Sequence, residues 1–348
     1  METKIARLEK KEDENTYLNE ASEIIKKGGI VAFPTETVYG LGANALNEEA
    51  VKKIFVAKGR PQDNPSIIHV ASKNIKEYVK EIPEVAIKVM DKFWPGPITI
   101  ILFKKDIIPN ATSANLDSIG VRMPDNKVAQ EIIKRAGVPI AAPSANISGR
   151  PSPTDLERCV EDLNGKVDYI IGGEKCNVGV ESTILDCTVD PPMVLRPGGI
   201  TLEMLKEIDS RIEVDKAILQ KPKNKNFKPK APGMKYRHYA PKAPVKIIKG
   251  PKGKTIDKIN EMIQNYIDEG KKVGVLSCKE NSSYYNNAKV ITLGSNLNQI
   301  AQNLFESLRD LDDEGVDVIL SEAFEEKGVG LAVMNRLNKA AGFDIITI

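Results

Sequence analysis

The sequence predicts an α/β protein built from two domains, and three observations support this. The chain has 348 residues, about twice the usual length of one domain. Strand-like and helix-like segments alternate on both sides of residues 221–244. That segment holds eight Lys or Arg, five Pro and no Asp or Glu. We therefore expect a first domain at 1–220, a basic, proline-rich linker at 221–244 and a smaller second domain at 245–348.

The first domain should begin with a helix at 17–27, where apolar residues recur on one helical face and Gly28 and Gly29 stop the helix. Further helices are expected after Asn47, Pro83 and Asn126, and near 155–163. Short apolar runs predict the strands of an α/β or α+β sheet. These runs are 30–33, 67–70, 98–103, 119–122, 139–142, 169–171, 183–186 and 193–195.

The second domain shows a regular alternation of strands and helices. Such alternation over about 100 residues predicts a small parallel α/β sheet of the Rossmann type. The predicted strands are 245–248, 273–276, 290–293, 318–320 and 344–348, and the predicted helices are 256–267, 298–311 and 331–341.

Composition excludes several classes of protein. The 41% hydrophobic and 28% charged residues are typical of a globular chain and not of a disordered one. No run approaches the roughly 18 apolar residues of a membrane span. The first residues contain no apolar segment, so we expect no secretory signal and a cytoplasmic protein. The formal net charge of +2 does not indicate a nucleic-acid binder.

Metal and phosphate motifs of the common kinds do not occur. The four cysteines lack zinc-ligand spacing and are expected to be reduced, buried thiols, and only two histidines are present. The triplet at 253–255 imitates the end of a Walker A loop, but position 248, where that loop needs glycine, is Ile. We find no dinucleotide-binding fingerprint and no nucleophile elbow. Any phosphate in this protein must therefore be bound in another way.

Basic residues in the first domain stand beside turn-forming residues. Lys58 and Arg60 flank a glycine, and the other three cations, Arg122, Arg150 and Arg196, each adjoin or closely precede Pro or Gly. Cations at strand ends can bind an anion through charge-assisted hydrogen bonds, although each one alone could be a surface charge. Small hydroxyl and amide residues at 34–37, 143–146 and 181–183 also lie at strand ends, where the alternative is simple turn formation. His69 ends an apolar run, and a lone histidine in such a place is more often a hydrogen-bonded core residue.

Seven ordered segments resemble the YrdC-like family, and they cover about 190 residues. They are GGIVAFPTETVYGLGANA at 28–45, KIFVAKGRPQDNPSIIHV at 53–70, WPGPITIIL at 94–102, SIGVRMP at 118–124, PIAAPSANISGRPSPT at 139–154, GVESTILD at 179–186 and LRPGGIT at 195–201. The segments PGMKYRHYAP at 232–241 and MNRLNKAAGFDII at 334–346 resemble the long, two-domain form of the threonylcarbamoyl-AMP synthase family. Ser113 stands where relatives often carry Thr.

The resemblance implies a fold and an activity. The fold is a YrdC-like twisted open α/β sheet, followed by the smaller Rossmann-like domain. The activity is that of a nucleotidyltransferase that condenses L-threonine, bicarbonate or CO2, and ATP into L-threonylcarbamoyl-AMP and releases pyrophosphate. A separate tRNA threonylcarbamoyl transferase complex would then modify the adenosine beside the anticodon. Mg²⁺ would accompany ATP, with no protein ligand assigned to it, and weak contact with tRNA is conceivable.

The resemblance also implies site residues. Arg122 would pair with the threonine carboxylate, and Lys58 and Arg60 would hold phosphates as the catalytic cations in an exposed loop. The linker would close over the site as a lid. The threonine pocket would comprise Thr35, His69, Arg122, Ser182 and the backbone of Ala142. The nucleotide side would comprise Lys58, Arg60, Asn64, Ser113, Ser144, Asn146, Ser152, Arg196, His238 and Tyr239.

Three other functions remain open from the sequence. The basic linker and a concave face could belong to an RNA-binding module without catalysis, whose binding would fall steeply with salt. A carbamoyltransferase of hydrogenase maturation also embeds a YrdC-like domain, but it needs acylphosphatase and zinc-finger segments that this sequence lacks. A translation regulator without catalysis is the third.

Overall fold

The computed structural model describes residues 2–9, 11–218, 229–232 and 238–348. The chain forms two compact units. The first comprises Met1–Ser148 and Ser152–Lys235, and the second comprises Gly149–Pro151 and Tyr236–Ile348. Most of the predicted linker, at 221–228 and 233–237, lies outside the described residues.

A mixed sheet runs through the first unit, with eleven strands in its described part. The strand order is β1-β8-β2-β3-β7-β4-β6-β5-β9-β10-β11. The strands are β1 Lys4–Arg7, β2 Val31–Phe33, β3 Gly40–Asn44, β4 Ile67–His69, β5 Ile98–Phe103, β6 Ser118–Arg122, β7 Ile140–Ala141, β8 Tyr169–Gly172, β9 Thr183–Asp186, β10 Met193–Arg196 and β11 Glu213–Val214.

Helices of the first unit begin and end where their sequence signals stand. Asn47, Asn126 and Asp155 each accept a hydrogen bond from a backbone N–H of the first turn, while Gly59 and Gly137 end helices in the left-handed conformation. The helices are α1 Lys11–Lys26, α2 Glu48–Lys58, α3 Glu84–Phe93, α4 Asn110–Ser113, α5 Lys127–Ala136, α6 Leu156–Leu163 and α7 Leu202–Lys206, and a short 3₁₀ helix spans Lys216–Ile218.

The first unit contains four short elements that were not predicted, β1, α4, α7 and β11. Two further differences from the prediction have a clear physical reason. Helix α1 begins at Lys11 and not at 17, because its first turn is acidic and is stabilised by the helix dipole without an apolar face. Strand β3 was not predicted, since glycines usually weaken a strand. Position 42 has no room for a side chain, because a Cβ there would lie 2.5 Å from the Phe33 ring and 2.6 Å from Ile140.

The second unit confirms the predicted parallel α/β sheet. Its five strands lie in the order β14-β13-β15-β12-β16, and every described pairing is parallel. Helices cross over between most consecutive strands, as parallel pairing requires. The elements are β12 Val245–Lys249, α8 Lys252–Asp268, β13 Val273–Cys278, a 3₁₀ helix at Ser282–Tyr284, β14 Lys289–Gly294, α9 Leu297–Asp313, β15 Val318–Glu322, α10 Val329–Ala340 and β16 Ile345–Thr347.

Each unit has its own apolar core. In the first unit, α1 and α5 pack on one part of the sheet, α2 and α6 on another, and α3 packs beside β5 and β6. In the second unit, Ile259 and Ile263 of α8 pack against β13 and β15. None of the described helices is long and apolar enough to cross a membrane.

Residues 229–232 of the predicted linker pack against the sheet of the first unit. Ala231 is fully buried against Ile67, Ile101 and Ile184 of the first unit's sheet. Lys230 forms an ion pair with Asp186 at 3.0 Å. Residues 229–232 are therefore a folded part of the first unit and not a solvated spacer.

Candidate active site

The centre of the candidate site lies at the ends of β4 and β6. These strands are parallel, and their register places His69 beside Arg122 as the last residue of each. On the other side of β4, His69 pairs with Ile140 of β7, and the Ala142 N–H donates to the Ile67 carbonyl at 3.0 Å. The sheet therefore brings together three of the predicted threonine-site residues.

The turn between β2 and β3 contributes Thr35 and an acidic residue. The Thr35 hydroxyl donates to the Val38 carbonyl at 2.6 Å and lies 2.9 Å from the Thr37 hydroxyl, which fixes the turn. Glu36 forms an ion pair with Arg122, with 2.6 Å between Oε2 and Nη2. Both side chains are buried, so the charge of Arg122 is compensated inside the protein.

A row of polar groups continues across β5 and β9. Thr99 of β5 pairs in register with Arg122, and its hydroxyl lies 2.8 Å from that of Ser182, which immediately precedes β9. Arg196 donates to the Ser182 carbonyl at 3.0 Å and to its hydroxyl at 3.1 Å. The predicted residues Arg122, Ser182 and Arg196 are thus connected through Thr99.

His69 is buried in a way that keeps it neutral. Burial lowers its pKa to about 3, and the nearby positive charge of Arg122 acts in the same direction. A neutral imidazole can exchange hydrogen bonds with a polar substrate but does not supply a second positive charge.

Lys58 corrects one prediction. It is the last residue of α2 and only 1% exposed, so it does not lie in an exposed loop. Its Nζ donates to the carbonyl oxygens of Ser144 and Asn146. Burial lowers its pKa well below the usual value, and the charge of Arg60 lowers it further. Lys58 therefore holds the 144–146 segment in place.

Arg60 and Asn64 form the other part of the predicted nucleotide side. Arg60 Nη2 donates to the carbonyls of Asn64 and Pro65 at 3.3 and 3.2 Å. Asn64 and Ser113 are buried, and neither Asn64 Oδ1 nor Ser113 Oγ has a hydrogen-bond partner among the described residues. Buried polar atoms normally have partners, so these two atoms are suited to a ligand.

The segment from Ser144 to Ser152 carries the remaining nucleotide-side residues of the first unit. The Asn146 side-chain amide donates to the Ile147 carbonyl at 2.8 Å. Ser152 is buried and donates to the Glu181 carboxylate at 2.6 Å. Both residues are therefore held in one orientation.

His238 and Tyr239 belong to the second unit. The Tyr239 ring is 5% exposed and stacks on Phe305 of α9, with 5.1 Å between ring centroids. The guanidinium carbon of Arg336 lies 5.9 Å from the same ring centroid. The environment of Tyr239 is thus a core environment of the second unit, and direct contact of its ring with a nucleotide stays a prediction.

Sequence reasoning missed three polar residues of the site, which are Glu36, Thr99 and Glu181. Each stands within a segment quoted above, but a carboxylate in a run of Thr or Ser gives no signal of its own. Their partners, Arg122, Ser182 and Ser152, are brought to them only by the sheet.

A metal ion would have few protein ligands here. Among the described residues no three His, Cys, Asp or Glu side chains are grouped as metal ligands. The carboxylates of the site are engaged, Glu36 with Arg122 and Glu181 with Ser152. The residues present therefore fit a metal that is held mainly by its nucleotide.

Comparison with protein families first gives the class. The family Sua5_yciO_yrdC, described as "Telomere recombination", matches residues 23–198. A second family, described as "Threonylcarbamoyl-AMP synthase, C-terminal domain", matches residues 200–342. The two matches correspond to an α/β domain of YrdC type followed by the domain typical of the long synthases.

Individual relatives then give the family. The chain is 51% identical over 329 residues to the threonylcarbamoyl-AMP synthase of Pyrococcus abyssi, covering 94% of this chain and 95% of the relative. It is 45% identical over 331 residues to that of Bacillus subtilis, covering 94% and 93%. The chain belongs to the threonylcarbamoyl-AMP synthase family, whose members are enzymes of the nucleotidyltransferase type.

Solved structures agree with this assignment. The Pyrococcus abyssi Sua5 protein complexed with L-threonine superposes with a TM-score of 0.93 at 48% identity, covering all of both chains. A variant of the same protein, in which a histidine and a tyrosine are replaced by alanine, gives a TM-score of 0.94 at 48% identity, covering 99% of this chain and 98% of the other.

Proposed function

We propose that this protein condenses L-threonine, bicarbonate or CO2, and ATP into L-threonylcarbamoyl-AMP and releases pyrophosphate. The observation that carries the proposal is the buried polar row of His69, Arg122, Thr99 and Ser182, in a domain that also holds the basic residues Lys58 and Arg60. It offers one place for an amino acid and one for a polyphosphate.

The amino-acid side supports threonine as substrate. A zwitterion needs a cation for its carboxylate and an acceptor for its ammonium group. The Arg122–Glu36 pair, at 2.6 Å, supplies both charges in one buried place. Thr35 and Ser182 are hydroxyls of the size that can hydrogen-bond a substrate hydroxyl. The relative from Pyrococcus abyssi has been solved with L-threonine.

The nucleotide side supports ATP. Arg60 provides positive charge, to which Lys58 adds when it is protonated. The buried Asn64 Oδ1 can accept a hydrogen bond from the base or ribose, and the Ser113 hydroxyl can accept or donate one. Lys58 donates to the carbonyls of Ser144 and Asn146, whereas Ser152 is hydrogen-bonded to Glu181 and Arg196 to Ser182. Mg²⁺ would neutralise the phosphates while held by the nucleotide, in keeping with the absence of a grouped carboxylate site in the described residues.

The reaction needs positioning and charge stabilisation, and it needs no protein nucleophile. The neutral threonine amine adds to CO2 and loses a proton, which gives a carbamate. A carbamate oxygen then forms a bond to the α-phosphorus of ATP, and the bond to pyrophosphate breaks. Negative charge on the leaving group is stabilised by cations that are already in place.

Two broader features belong to the same proposal. We place the protein in the cytoplasm, because its four cysteines are free thiols and three of them are buried. We also propose that its product is passed to a tRNA threonylcarbamoyl transferase complex, because an acyl-adenylate hydrolyses in water and must be used by a second enzyme.

Labelled substrates test the proposal. The protein is incubated with ATP, Mg²⁺, nitrogen-labelled threonine and carbon-labelled bicarbonate, and the nucleotides are analysed by mass spectrometry. We expect one adenylate that carries both labels. An adenylate of threonine without the bicarbonate carbon, or no adenylate at all, would reject the proposed reaction.

A further inference from the structure

Gly149, Arg150 and Pro151 belong to the second unit, although the chain on either side of them belongs to the first. Asn146 and Ser152, which we propose as nucleotide contacts, stand just before and just after them. The groups that hold residues 149–151 therefore influence the nucleotide site through the chain itself.

Two hydrogen-bonded contacts hold this segment within the second unit. The Ala240 N–H donates to the Gly149 carbonyl at 2.8 Å. Arg309 of α9 donates to the Pro151 carbonyl from Nε at 3.2 Å and from Nη2 at 2.6 Å. The Arg309 side chain is only 1% exposed. A buried guanidinium is costly unless it is hydrogen-bonded, so this fork on one carbonyl is a fixed feature of the fold.

The two residues that hold the segment, Ala240 and Arg309, are connected to each other through an aromatic pair of the second unit. Tyr239 precedes Ala240 and has a left-handed backbone, with φ of 64°. Its ring stacks on Phe305, which stands four residues before Arg309 on α9 and thus on the same helix face. The stacked rings therefore fix the position of Ala240 relative to Arg309.

The flanks of the segment are fixed within the first unit. The Ser148 N–H donates to the Lys58 carbonyl at 2.9 Å, and the Tyr39 N–H donates to the Pro153 carbonyl at 2.9 Å. Gly149 itself has φ of 93°, a conformation that other residues rarely adopt. A change at Pro151 is therefore confined to the residues between these two anchors, which include Ser152.

We infer that Arg309 is a positioning residue for the nucleotide. It holds the Pro151 carbonyl, and through the backbone it sets the orientation of Ser152. The inference rests on the proposed nucleotide role of that residue. It gives the second unit a part in catalysis without any contact between Arg309 and a substrate.

Arg309→Lys in the full-length protein tests the inference, because lysine keeps the charge but loses the two-pronged geometry. We expect the KM for ATP to rise on the order of tenfold, the loss typical of a hydrogen bond to a charged group. The KM for threonine should not change. Hydrogen exchange of the amides at 147–154, measured without substrates, should become faster.

Two further variants make the result decisive. Ile259→Ala removes a fully buried side chain of α8 in the same unit but does not touch 149–151, so it should destabilise the unit without changing the KM for ATP. Pro151→Gly loosens the segment from the loop side and should reproduce the effect of Arg309→Lys even if the latter folds poorly.

Either of two outcomes overturns the inference. One is an unchanged KM for ATP and unchanged exchange in both Arg309→Lys and Pro151→Gly. The other is an equal rise in Ile259→Ala. Because the exchange experiment uses no substrate, it separates a failure of this inference from a failure of the proposed reaction: fast exchange at 147–154 without any adenylate product would place the error in the reaction.

Discussion

At the scale of single residues, the site is made of pairs. Arg122 is paired with Glu36, Ser182 with Thr99 and Arg196, and Ser152 with Glu181. Sequence reasoning predicted Arg122, Ser182, Arg196 and Ser152 because each stood beside a strand end or in a segment that resembles a family motif. It missed Glu36, Thr99 and Glu181, since their contacts join residues that are 29 to 86 positions apart and depend on strand order.

Lys58 and Arg60 should differ in their effect on stability. Replacing either by alanine should reduce turnover by roughly 10²–10³, as for lost electrostatic stabilisers. Only Lys58→Ala should also lower the unfolding temperature, because Lys58 is buried and holds two carbonyls, whereas Arg60 is half-buried. Turnover and thermal unfolding of both variants check this prediction. Lys53→Ala, at an exposed lysine of the same helix, is the control. Equal unfolding temperatures of the two variants would show that the Lys58 contacts contribute little to stability.

Arg122 should determine the affinity for threonine. Arg122→Ala removes the proposed partner of the substrate carboxylate and leaves Glu36 as a buried, uncompensated carboxylate. We expect threonine affinity to fall much more than ATP affinity. Isothermal titration with each substrate measures both, and Arg135→Ala, at a half-buried ion pair with Glu131, is the matched control. Unchanged threonine affinity would remove Arg122 from the site.

At the scale of elements, caps and close approaches determine the local structure. Helices with an Asn or Asp cap and a terminal Gly were predicted correctly at α2 and α5, because both signals are local. Strand β3 was not predicted, because Gly42, which weakens the strand signal, is required by the close packing of Phe33 and Ile140. Gly198 is a similar case: a Cβ there would lie 2.3 Å from the Thr183 nitrogen, so glycine lets the turn after Arg196 approach Ser182.

At the scale of the whole molecule, the order of domains was predictable but the path of the chain was not. Alternation of strands and helices and the basic segment at 221–244 gave the two α/β parts. The excursion of Gly149–Pro151 into the second unit had no sequence signal, because it depends on a buried arginine 158 residues away. The same excursion links the second unit, through the chain, to the segment that carries Asn146 and Ser152.

The central claim is that one site joins three substrates in a fixed order, with the carbamate as the attacking group. Pyrophosphate release from ATP is measured in a CO2-depleted buffer with threonine, with bicarbonate, with both and with neither. We expect release only when threonine and bicarbonate are both present. Equal release from ATP alone, or with threonine but without bicarbonate, would contradict it.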